Sequence, residues 1–77
     1  MPTYFILYDD ETIEHLAKHH VLIEEFEQVV SNPQWTEPSK TSDNMIAFGH
    51  TAAGRFLACV YEQIDDTHIL AITAYEV

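Results

Sequence analysis

Positive charge is scarce in this chain. Its 77 residues hold three Lys and Arg side chains against thirteen Asp and Glu, a formal net charge of −10 with histidines neutral. Nucleic-acid affinity rests largely on phosphate neutralisation by Lys and Arg, so charge disfavours RNA as a partner over any broad exposed surface. The acids are scattered along the chain, which suits a solvated surface or a docking face for a basic partner. Cysteine is nearly absent as well. Cys59 stands alone, which excludes an internal disulfide and a cysteine-rich zinc site. Its place within an apolar run makes a buried, inert thiol the expectation. No apolar run approaches the length of a membrane span, and no basic segment followed by an apolar one opens the chain. No membrane partner and a cytoplasmic setting are therefore expected.

What is present is enough for one small domain. Hydrophobic residues make up 47% of the chain, an ordinary share for a globular protein. Residues 1–77 are read as a single domain with a modest core and a stability of about 3–5 kcal/mol. A homodimer or a protein partner would add buried surface.

The run Arg55–Glu62 is the most strand-like in the chain. Alternation puts Arg55, Leu57, Cys59 and Tyr61 on one face and Phe56, Ala58, Val60 and Glu62 on the other. Both faces are largely apolar, as in a strand at the middle of a sheet. Around it, Thr3–Tyr8 reads as a first strand, and Asp9-Asp10-Glu11 ends it and opens a helix expected over about Glu11–His19, with an Asp capping its free amides and the acids suiting the positive end of its dipole. Ile13, Leu16, Ala17 and His20 share that helix's apolar face by spacing. After a Val21–Leu22 corner, a second helix turns Ile23, Phe26, Val29 and Val30 inward and ends at Asn32–Pro33. Gln34–Glu37 reads as a short edge strand, Ser39–Asn44 as a loop, Met45–His50 as a strand and Thr51–Gly54 as a hairpin loop. Gly54 suits a positive-φ position. His68–Tyr75 is the last strand. The expected fold class is α+β, two-layer, in the order β-α-α-β-β-β with a further short strand. An antiparallel meander packs against the two N-terminal helices.

Several stretches resemble one family. Lys18-His19 leaving the first helix, followed by Val21 and Ile23-Glu24-Glu25, is similar to the "KHG-hydrophobic-x-hydrophobic-E-E" segment of BrnT-type toxins. Asn32-Pro33 stands where that family has "DP". The hairpin Gly49-x-Thr51-x-x-Gly54-Arg55-x-Leu57-x-x-Val60-Tyr61 resembles their "G-x-T/S-x-x-G-R-x-L-x-V-V-Y", and Ile69–Ala74 lies where they carry "R-I-I-S-A-R". The resemblance spans about Glu11 to Ala74. It implies the RelE-like fold of toxin–antitoxin ribonucleases, RNA as substrate and a small cognate antitoxin as partner. The chain departs from the pattern at His20, where the family has glycine, and at Tyr75 and Glu76, where it has arginines.

Metal-independent RNA cleavage needs a base, an acid and positive charge for the phosphorane. The resemblance assigns these roles to Lys18, His19, Arg55 and Tyr61, with His20 and Tyr75 secondary. Lys18-His19-His20 also concentrates groups that can be cationic, and histidine titrates near neutrality. Each residue has a plainer reading. Lys18 and the histidines suit the negative end of a helix, Arg55 an ion pair, and the tyrosines half-buried packing. His50 and His68 could meet across the sheet as a metal pair, although no third ligand has recognisable spacing. Neither a metal nor a cofactor is expected. Trp35, beside an edge, reads as a core or interface anchor ahead of a base-stacking platform. The alternative to a ribonuclease is a non-catalytic interaction module on the same fold, binding a protein through its sheet face or an edge strand.

Overall fold

A computed structural model describes residues 4–77. The order is β1 (Phe5–Leu7), α1 (Asp10–Lys18), α2 (Ile23–Ser31), β2 (Trp35–Pro38), β3 (Met45–His50), β4 (Phe56–Gln63) and β5 (His68–Glu76). The expected α+β architecture is the observed one, two helices beside a five-stranded sheet ordered β1-β5-β4-β3-β2. β2 to β5 form an antiparallel meander, and β4 holds the centre, as its two apolar faces require. β1 adds to β5 in parallel and makes the sheet mixed. The chain passes from β1 through both helices to β2 at the far edge, and three hairpin reversals then bring β5 beside β1 in the same direction. β1 is shorter than the expected Thr3–Tyr8; of that run, Thr3 lies outside the described residues.

Asp9 caps α1. Its Oδ1 accepts from the Thr12 amide at 2.9 Å and the Thr12 hydroxyl at 3.0 Å, and these bonds hold the carboxyl below its ordinary range. The face expected of α1 is only partly used. Leu16 is buried, whereas Ile13 keeps 41% of its surface and His20 has left the helix. The exit is a Schellman turn. The Val21 amide donates to the Leu16 carbonyl and the His20 amide to the Ala17 carbonyl, both at 3.0 Å. Leu16 and Val21 then close it as a buried apolar pair. His20 occupies the left-handed position of that turn, φ 58°, where glycine is the usual residue.

α2 has no capping side chain at Leu22. Instead Glu25 reaches back, its Oε1 accepting from the Leu22 amide at 3.1 Å. Phe26, Val29 and Val30 are buried against β3 and β4, while α1 lies on β5. With Leu57, Cys59, Tyr61 and Ile69 they form one core between helices and sheet. Ala58 is also fully buried but lies outside that core, on the other face.

Candidate functional site

The hairpin motif positions Arg55. Gly54, at φ 87°, donates its amide to the Thr51 carbonyl at 2.9 Å, and the buried Thr51 hydroxyl accepts from the Arg55 amide at 3.2 Å. The side chain then enters the helix side of the sheet. Nη1 donates to the His20 carbonyl at 2.8 Å and to Glu25 Oε1 and Oε2 at 2.8 and 2.9 Å. Nη2 donates to Glu76 Oε1 at 3.3 Å. One guanidinium thereby ties the α1–α2 corner, the first turn of α2 and the end of β5 together. The Glu25 carboxylate, before other contributions, raises the Arg55 pKa above its ordinary value. With two carboxylates against one guanidinium, this patch offers a phosphate no net positive charge.

The other predicted residues do not complete a pocket around it. Lys18 and His19 end α1, and Lys18 makes no salt bridge among the described residues. The His19 ring lies against His15, centroids 5.5 Å apart, on the exposed side of α1. His20 reaches Arg55 through its carbonyl. Tyr61 stands apart from Arg55 within the four-residue set. It lies six residues along the sheet from Arg55, about 20 Å of strand, in the core at 6% exposure. Burial there pushes its phenol pKa up. Tyr75 pairs with Ala58 and faces away from the helices, on the opposite side from Arg55.

His50 and His68 do not meet, because β4 separates their strands. His50 pairs with Phe56, and His68 stacks on Phe5. Among the described residues no group of three or more His, Cys, Asp or Glu could hold a metal ion, and no helix is long and apolar enough to cross a membrane. Cys59 is the expected buried thiol, its pKa pushed up to about 12 by desolvation. A shallow groove of about 410 Å³ lies between α1 and β5, lined by Asp9, Glu11, Thr12 and His15 among others, and touches none of the predicted catalytic residues.

The feature that sequence reasoning underweighted is the sheet face without helices. Trp35 stacks on Phe48 with centroids 4.9 Å apart and planes 14° from parallel. Phe56 lies 5.6 Å from Trp35 and 6.4 Å from Phe48, and the His50 ring 4.8 Å from Phe56. These rings bury Ala58, and register sets Tyr75 beside it and Ile46 beside Val60. Trp35 and Tyr75 remain 47% and 41% exposed. The signal was present as alternation: Phe56, Ala58 and Val60 needed an apolar environment that neither helix supplies. Trp35 stands on the edge strand β2, outside the core beneath the helices.

Comparisons with protein-family models, curated proteins and solved structures find no match for this chain.

Proposed function

We propose that this chain is a non-catalytic protein-interaction module whose open sheet face receives a partner protein. The observation that carries this reading is the aromatic layer of Trp35, Phe48 and Phe56, left uncovered in a chain that places both helices on the other side. Contiguous exposed apolar surface of this kind marks interaction sites. Arg55 supports it from the opposite direction, because its guanidinium is spent on two carboxylates and a carbonyl. A nucleic-acid platform would also stack bases on aromatic rings, but it needs a cationic groove beside them, and β2 to β5 carry neither Lys nor Arg. A cytoplasmic setting belongs to the same proposal.

A second reading is a BrnT-type, RelE-like toxin whose ribonuclease activity uses Lys18, His19 and Arg55. What favours it is the turn at Lys18-His19-His20, where the resembling segment has glycine after Lys-His. His20 is held left-handed there, and its carbonyl meets Arg55. Induced expression of the wild type and of a His19→Ala/Arg55→Ala variant decides between the two, with growth and RNA integrity as readouts. The module reading expects both proteins to be harmless. Growth arrest and RNA decay with the wild type alone would replace it with the toxin reading.

A further inference from the structure

We infer that the occupant of the open face is an amphipathic helix bearing Lys or Arg along its flanks, supplied by a partner protein; this rests on the interaction-module reading above. Charge complementarity chooses the occupant. Register places Glu37 on this face opposite Ile46, and alternation places Glu62 there beyond Val60. Both carboxylates are exposed. The strands that build the face contribute no Lys or Arg; Lys40 sits in the loop beyond β2, Lys18 at the end of α1, and Arg55 on the helix side. An apolar patch bordered by acids that make no salt bridge among the described residues complements an apolar helix face flanked by cations. A second copy of this chain would bring the same acids together, with a net charge of −10 on each partner. Shape agrees with a helix. The domain measures 27 × 26 × 24 Å, so a helix of about 17 residues crosses it. Such a helix would add a third layer to a two-layer fold.

Trp35 is the sole tryptophan and lies within the proposed contact, so its emission reports occupancy. The full chain is titrated with labelled helical peptides of about 18 residues, with leucines on one face and lysine, glutamine or glutamate elsewhere. Emission of Trp35 and anisotropy of the label are read together. The leucine–lysine peptide should saturate and shift Trp35 emission to the blue. Glu37→Lys/Glu62→Lys should weaken binding about tenfold. Glu14→Lys/Glu27→Lys changes the net charge equally on the helices and should leave binding within about twofold.

Equal weakening by both pairs would overturn the inference, since attraction would then be general rather than local. Binding of the leucine–glutamine peptide as tight as the lysine peptide would also overturn it, while leaving the face as an interaction site. So would a dimer in sedimentation that Tyr75→Ser dissociates, which makes the occupant a second copy. A monomer that binds none of the peptides would remove both the inference and the module reading.

Discussion

Beneath the helices, Leu57, Cys59 and Ala74 are completely excluded from solvent; across the same sheet, Trp35 and Tyr75 keep 47% and 41% of their surfaces. The strands are shared, and so are their backbone hydrogen bonds. The difference is therefore in side-chain burial, at roughly 25 cal/mol per Å² of apolar surface removed from water. One face has spent its apolar surface on folding. The other still has surface to remove from water, and that remainder is available to a partner. The charges divide the same way. Arg55 braces the covered side with Glu25 and Glu76, whereas among the described residues Glu37 and Glu62 on the open side have no such brace.

The largest expected effect separates the faces outright. Phe26 is fully buried, and Phe26→Ala should cost about 3–5 kcal/mol. That matches the whole stability expected of so short a chain, about 3–5 kcal/mol. The variant should be largely unfolded by circular dichroism at room temperature. Trp35→Ser should cost about 0.5–1.5 kcal/mol, the scale of an aromatic pair. If urea unfolding shows the two equally destructive, Trp35 belongs to the core and the contrast between faces fails.

Arg55→Met tests the brace. It leaves Glu25 without its partner, and the Glu25 side chain is only 14% exposed. The melting temperature should fall further than in Lys18→Met, whose side chain is exposed at the end of α1. Equal melting temperatures would mean that Arg55 holds nothing together and is available for other chemistry.

These contrasts were unevenly legible in the sequence. Met45–His50 is the strand read from the sequence, and both helices fall within a residue or so of their expected ends. Periodicity and breakers act locally, so they survive without the rest of the fold. The parallel pairing of β1 with β5 was not legible, because a three-residue strand carries no mark of its direction. The open face was legible only as a second apolar face of β4. Apolar alternation reports a need for cover and cannot say whether the cover lies within the chain. Of the candidate site, the ion-pair reading of Arg55 matches the geometry, whereas Tyr61 and Arg55 share a face without sharing a place on it. The substitution of glycine by His20 was visible, but its backbone meaning needed the Schellman bonds.

Smaller effects sharpen each side. On the open side, the Thr73 hydroxyl is buried with no hydrogen-bond partner among the described residues, and Thr73 pairs with Val60 of the adjacent strand. Thr73→Val keeps the shape and removes the orphan, so urea unfolding should show a gain of about 1 kcal/mol. On the covered side, His20→Gly relieves a left-handed backbone at about 1–2 kcal/mol and adds unfolded-state entropy at about 0.4–1 kcal/mol. A net gain of about 0.5 kcal/mol is expected. A loss instead would mean that the His20 side chain contributes to packing or to a site.

The smallest effect is confined to acid and to the β4–β5 turn, which caps both faces. Asp65 Oδ1 accepts from the Thr67 and His68 amides, each at 2.8 Å, and contacts His68 Nδ1 at 2.9 Å. The Thr67 amide first, and then the His68 ring, lower its pKa from 3.8 to about 2. A carboxyl depressed by folding stabilises the native state above its unfolded pKa, and that contribution disappears as pH falls through the folded value. Stability should therefore decline between about pH 5 and pH 2. Asp65→Asn should flatten the part of that decline that Asp65 causes. The carboxyl is exposed, so the contribution is screened and modest. Unfolding measured across that range in both proteins checks it. An identical slope would place the acid sensitivity elsewhere, most directly at Asp9, whose pKa is also lowered by its cap on the covered side; a flattened slope would make the turn, shared by both faces, the acid-sensitive joint of the sheet.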